Sequence, residues 1–206
     1  MKGSRKKGAP SELIDWLAGE SEDWRPAYGD LDRVVRGALV RDLFNEQRGL
    51  CVYCGRRLDL SYPGHTFHIE HFRPRATYPA LQVEYGNLFL SCGQRDANGD
   101  PSPTCGNVKA DWFDESSHIE PIYSDCTSRF LFRLTGVVDP SVPGDSAAEL
   151  MIDVLQLNHP ELRKDRERIL GYLDGEELEL ADFVREDGTA NGYAHVAFQH
   201  CRQKIP

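Results

Sequence analysis

The strongest hydrophobic periodicity runs from Asp30 to Arg48, where Leu31, Val34, Val35, Ala38, Leu39 and Leu43 recur at helical spacing and form one apolar stripe. It predicts a core-packing scaffold helix with Asp30 as its cap and Gly49 closing it. A shorter helix is predicted from Ser11 to about Ala18, capped by Ser11 and ended by Gly19. Between Leu50 and Phe113 helical spacing disappears, and Gly, Pro, Cys, His and aromatic residues crowd together. Short strands are predicted there at Phe67–Phe72 and Asn87–Ser91, with a helix after Cys105. The polar stretch Gly93–Thr104, full of turn formers, reads as a surface loop. Phe130–Val138 predicts an edge strand or hairpin, followed by a Pro/Gly break.

Beyond the break the pattern is helical. Ser146-Ala-Ala-Glu149 reads as a capping box, with Leu150, Val154 and Leu157 following at helical spacing. Pro160 opens the next predicted helix, which runs to about Asp174 and stops at Gly175. Two more helical stretches are predicted at residues 176–185 and at Ala190–Lys204. The fold class is therefore α+β. Residues 1–10 read as a flexible basic tail, 11–48 as N-terminal helices, 49–115 as a compact irregular core, and 116–206 as a mostly helical C-terminal lobe.

Composition narrows the function classes. With 206 residues, 40% apolar and 28% charged, the chain can bury a real core, which excludes wholesale disorder. No apolar run approaches the ~20 residues that span a bilayer. The opening MKGSRKKGAP lacks the apolar stretch of a secretory signal, so a cytoplasmic location is expected, without membrane partners. In that compartment disulfides are rare, and six cysteines need another explanation. The net charge of −9 is unevenly spread: residues 1–110 carry 15 Lys and Arg against 14 Asp and Glu, residues 111–206 carry 9 against 19. The near-neutral first half can still hold a basic patch suited to phosphates.

Cys51-Val-Tyr-Cys54-Gly55 is a knuckle in which a tight turn, eased by Gly55, brings two sulfurs to one point. A thioredoxin-type redox reading lacks its βαβ context. Cys92, at the end of an apolar strand, and Cys105, before a predicted helix, supply a second pair. Four thiolates make a closed tetrahedral site, the usual form of structural Zn²⁺. Cys126 and Cys201 lie outside the pattern and read as buried small hydrophobes.

Between the cysteine pairs lies His68-Ile69-Glu70-His71-Phe72-Arg73-Pro74-Arg75. A carboxylate followed directly by a histidine sets a metal-binding oxygen beside a potential general base. A lone histidine here would read more simply as a hydrogen-bonded strand residue. This one is followed by Tyr85-Gly86-Asn87-Leu88-Phe89-Leu90-Ser91-Cys92 and Cys105-Gly106-Asn107-Val108-Lys109-Ala110-Asp111.

That order of motifs resembles the HNH endonuclease family, over roughly residues 48–113. The segments CVYCG, HIEHFRPR, YGNLFLSC and CGNVKADWF look most like the PtuB-like HNH proteins of Septu and related retron antiphage systems. EPIYSDCTSRFLF and AEL…IDVLQLNHPELRKDRERIL extend the likeness into the helical lobe. The resemblance implies a zinc-stabilised ββα-metal (HNH) core flanked by the N-terminal helices and the C-terminal helical lobe. It implies hydrolysis of DNA phosphodiesters with catalytic Mg²⁺ or Mn²⁺. His71 would be the general base, Glu70 a ligand of the catalytic cation, and Asn87 a residue that holds the active loop or orients His71 through its backbone. The final histidine of the family is replaced by Gly106, so Asn107 and Asp111 stand as alternative second ligands. Arg73, Arg75 and Lys109 flank the motif as phosphate-binding candidates, and His68 is a further ligand or supporting group. The implied partners are an ABC or SMC-like ATPase and, in retron systems, a reverse transcriptase complex. A zinc-stabilised module that binds nucleic acid or protein without catalysis is the competing reading.

Overall fold

The computed structural model describes residues 1–93, 100–175 and 177–205. The long helix α2 spans Arg33–Glu46 and starts at Asp32, whose carboxylate accepts from the N–H groups of Val34 and Val35 at 2.7 and 2.9 Å. Asp30 cannot serve as the predicted cap because Tyr28–Asp30 is already wound into a 3₁₀ turn. Val35, Ala38, Leu39 and Leu43 are buried as the stripe predicts, but Val34 is 69% exposed on its flank. Arg48 and Gly49, both at positive φ, end the helix. Helix α1 (Ser11–Leu17) packs on α2. Its cap position is Pro10, and the Ser11 hydroxyl bonds to Glu12 instead.

Strands β1 (Phe67–His71) and β2 (Leu88–Cys92) form an antiparallel pair in which His68 faces Ser91 and Glu70 faces Phe89. Gln47, buried just past α2, closes the other edge of β2. Its amide donates to the carbonyls of Leu50 and Leu90 at 2.8 Å and accepts from the Leu90 N–H at 2.7 Å. Helix α3 (Cys105–Lys109) follows and packs on β2. Of the predicted surface loop Gly93–Thr104, residues 94–99 lie outside the described residues. Ser102 and Thr104 are buried and bonded to one another at 3.0 Å, not on the surface.

The C-terminal half holds a short helix α4 (Asp125–Ser128) and a hairpin of β3 (Phe130–Phe132) with β4 (Val138–Pro140). Helices α5 (Ser146–Val154), α6 (Pro160–Asp174) and α7 (Ala194–His200) complete it. Asp145 caps α5 through the Ala148 N–H at 3.1 Å, one residue before the predicted Ser146. The helix predicted at 176–185 begins on residue 176, which lies outside the described residues. Within the rest only Leu180–Phe183 winds, as a 3₁₀ turn closed by a capping box in which the Glu179 and Asp182 side chains each accept from the other's backbone N–H. The predicted helix from Ala190 starts later because the Ala190 N–H bonds to the Arg48 carbonyl and Tyr193 takes a left-handed conformation.

The expected loose tail is instead built into the core. Lys2 and Gly3 donate backbone bonds to Tyr53 and Val52, Ser4 pairs with Pro121 and Tyr123, and Met1, Lys2 and Ser4 are buried. These are long-range backbone pairings that local composition does not encode. Cys126 is buried as predicted, whereas Cys201 is exposed. Among the described residues no helix is long and apolar enough to cross a membrane.

The Gln47 clamp yields a test. Gln47→Leu strips the Leu90 N–H of its partner inside the core. A loss of about 1–3 kcal/mol in urea unfolding is expected, without loss of secondary structure.

Candidate functional site

Two motifs meet at the end of β2. Cys92 closes that strand, Cys105 opens α3, and the knuckle folds over both. Gly55 at φ +79° turns the knuckle, and its N–H returns to the Cys51 carbonyl at 3.1 Å. The Arg56 N–H points at the Cys54 sulfur. As a result the Sγ atoms of Cys51, Cys54, Cys92 and Cys105 all lie within 4.8 Å of one another, and all four residues are buried. Cys54 and Cys92 are 3.7 Å apart, close to the ~3.8 Å edge of a sulfur tetrahedron with Zn–S bonds of ~2.3 Å. All four are free thiols, so the cluster can hold a metal ion such as zinc. No other group of three or more His, Cys, Asp or Glu side chains with metal-binding geometry occurs among the described residues.

The C-terminal half completes this cluster. The Leu155 carbonyl accepts from the Cys105 N–H at 3.0 Å, where Cys105 sits at positive φ. Arg166 of α6, 1% exposed, donates to the carbonyls of Gly136 and Leu157 and lies in the field of Cys54 and Cys105. A divalent ion on four thiolates carries net negative charge, which a buried guanidinium offsets. Arg56 ties the knuckle to α6 and α7 through Asp165 at 2.9 Å and the Tyr193 hydroxyl at 3.2 Å.

Along β1, His68 and Glu70 project on one face, two residues apart. Glu70 is 5% exposed, and both its oxygens are engaged. Oε1 accepts from the Tyr53 hydroxyl and the Lys109 ammonium, each at 2.9 Å, while Oε2 lies 3.3 Å from His68 Nε2. Burial works to raise the Glu70 carboxyl, but the His68 bond and the Lys109 charge outweigh it and hold the carboxyl below its usual range. Burial, then the charge of Glu70, push the Tyr53 phenol well up, so it stays a donor. Gly106 sits directly over this pair: a Cβ there would fall 2.5 Å from both Glu70 Oε2 and His68 Nε2. Glycine thus leaves open the space where two donor atoms converge.

His71 follows on the other face. Its Nε2 donates to the Gln82 carbonyl at 2.9 Å, because a carbonyl can only accept, and this leaves Nδ1 as the basic nitrogen. Burial is the main force lowering its affinity for a proton, and Arg75 adds to it, so the ring is neutral near pH 7. Asn87 does not touch the ring. Its side chain accepts from the Arg73 N–H at 2.7 Å and donates to the carbonyls of Arg73 and Leu81 at 2.9 and 3.1 Å, which locks the turn presenting Gln82 to His71.

The other candidates separate. Asn107 is half-buried on α3, but Asp111 lies beyond the helix end, where Ala110 at φ +46° redirects the chain, and it is exposed. Lys109 is spent on Glu70 and the carbonyls of His71 and Ala110, and Arg73 is paired with Glu120 at 2.7 Å. Arg75 is exposed and stands over the Tyr28 ring, 5.2 Å from its centroid. Sequence reasoning missed Tyr53, Gln82 and Arg166. Tyr53 could have been found, lying inside the knuckle. Gln82 and Arg166 act only through the fold.

No family model matches the chain. Part of it is similar to the Septu protein PtuB of Bacillus thuringiensis, 31% identical over 96 residues. The similar stretch is 43% of this chain and 33% of that protein, so the chain spans about a third of the length of the curated relative it matches.

Two outcomes are expected. The purified protein should hold close to one equivalent of tightly bound zinc by elemental analysis, and Cys54→Ser or Cys105→Ser should lose it with a large drop in melting temperature. Lys109→Met should cost about 3–5 kcal/mol by stranding the buried Glu70 charge, and adding Glu70→Gln should recover much of that in a double-mutant cycle.

Proposed function

We propose that this chain is a metal-dependent endonuclease acting on phosphodiester bonds, the nuclease effector of an antiphage defence system. The observation that carries the reading is the convergence of Glu70 Oε2 and His68 Nε2 beneath Gly106, with neutral His71 next on the strand. The likeness to a Septu protein supports the defence setting. It also supports an ATPase of the ABC or SMC-like type as partner, for which the acidic second half offers a docking surface.

The donor set fits a divalent cation, which Glu70 Oε2 and His68 Nε2 would hold through one carboxylate oxygen and one imidazole nitrogen. A bound Mg²⁺ or Mn²⁺ supplies charge neutralisation at the phosphate and the leaving 3′-oxygen. Lys109 and Tyr53 hold the other Glu70 oxygen and so aim Oε2 outward. His71 takes the proton of the attacking water at Nδ1, and the Gln82 carbonyl steadies the ring as charge develops on it. Asn87 fixes that carbonyl in place. Arg75, near His71 and without a carboxylate partner among the described residues, holds a substrate phosphate.

A second reading, a zinc-stabilised module that binds without cutting, is favoured by one observation. Lys109 and Arg73, two of the three predicted phosphate contacts, are consumed by Glu70 and Glu120.

His71→Ala should reduce cleavage of plasmid or oligonucleotide substrates by about 10²–10⁴-fold in Mg²⁺ or Mn²⁺, with zinc content and melting temperature unchanged. Cleavage by that variant at the wild-type rate would sink the mechanism. Wild-type binding without any cutting, in the presence of its partner ATPase, would establish the second reading instead.

A further inference from the structure

Between the first turns of α2 and the outer face of β1 lies a cavity of about 410 Å³. That volume is within the range of small-molecule sites. Val40, Leu60, Phe67 and Ile69 give it an apolar wall, and Gly37 leaves one side of α2 bare. Tyr28, Arg33 and Arg36 line it, and His68 reaches it from the strand. The cavity does not end at Tyr28. That ring meets the His71 imidazole edge-on at 4.5 Å, and the guanidiniums of Arg36 and Arg75 stand over it at 4.9 and 5.2 Å.

Two arginines therefore stand over one tyrosine beside the candidate general base, and a third, Arg33, lines the same cavity. Among the described residues none of the three is paired with a carboxylate. Arg36 donates to the Tyr28 hydroxyl and carbonyl at 3.2 and 3.4 Å. In a chain of net charge −9, guanidiniums without a carboxylate partner at an apolar cavity are the complement of an anion with a flat apolar body.

We infer that this cavity receives one unpaired nucleobase of a single-stranded nucleic acid, its flanking phosphates held by Arg33, Arg36 and Arg75. A base inserted there enters against Tyr28, in the manner of unstacked bases on aromatic and guanidinium surfaces. The backbone then runs past Tyr28 toward His71, which brings the adjoining phosphodiester to the strand that carries His68 and Glu70. A base paired and stacked within a duplex cannot enter. The inference rests on the endonuclease reading only for what happens at that phosphodiester, since the binding itself needs no chemistry.

Gly37 supplies the test. A Cβ built on it meets nothing within 4 Å, so α2 has room for a side chain there, and Gly37→Leu puts apolar bulk at the cavity wall. The probes are fluorescent 12-nucleotide DNA and RNA single strands and the matching DNA duplex, read by anisotropy without added divalent cation. Wild-type protein should bind at least one single strand about tenfold or more tightly than the duplex, and the DNA and RNA arms identify the sugar. Gly37→Leu should lose at least tenfold on that strand and less than twofold on the duplex, with no fall in melting temperature. Arg33→Ala and Arg36→Ala should each flatten the slope of log affinity against log salt by about 0.7, the value for one released phosphate contact on a single strand.

Single-strand binding that survives Gly37→Leu overturns the inference, as does wild-type binding no tighter to single strands than to duplex, or none at all. Cleavage is scored separately. Discriminating binding without cutting by any assembly leaves the cavity standing and removes the endonuclease reading, and cutting with binding blind to Gly37→Leu does the reverse.

Discussion

The convergence of four sulfur atoms on one point organises everything around it. The β1–β2 pair is only two strands wide, too small to stabilise itself. The sulfur cluster ties the end of β2 to the knuckle before it and to α3 after it, so three pieces of chain lacking a common hydrogen-bond ladder share one anchor. α3 has five residues and would not hold as an isolated helix. Its position over the Glu70–His68 pair, and hence the gap at Gly106, follows from Cys105 being held at its first residue.

The anchor also explains the merging of the two halves. A cluster that carries negative charge when metal-loaded requires a buried cation, and Arg166 from α6 supplies one. Its guanidinium is satisfied by carbonyls of Gly136 and Leu157, so the hairpin and α6 are part of the cysteine cluster's support. The C-terminal lobe is continuous with the site through Arg56, Asp165 and Tyr193.

What was legible in the sequence was chemistry with short-range geometry. The C-x-x-C-G knuckle, the alternation that sets His68 and Glu70 on one strand face, and the stripe of α2 are each local rules, and each element formed. What escaped depended on distant neighbours. Asp30 lost its capping role because the preceding residues coil into a 3₁₀ turn, and Asp145 took over from Ser146 while also pairing with Arg129. Arg73 and Lys109 looked like phosphate contacts because Glu120 and Glu70 are remote or differently oriented in sequence. The arginines at the α2 cavity sat in a stretch read only as scaffold. A charge reads as free along a chain until the fold discloses its counter-charge.

The buried beginning of the chain has a consequence for how the molecule comes to be folded. Residues 2–4 bond to residues 52–53 and 121–123, the Thr127 hydroxyl caps the Lys2 carbonyl, and Arg5 reaches the carbonyl of Ile205. Loop closure over such separations is entropically costly and comes late. Residues 2–5 thus settle only once the segments around residues 52, 122 and 205 have come together. The knuckle and its thiols can gather early, whereas the floor that residues 2–4 lay beneath them closes last.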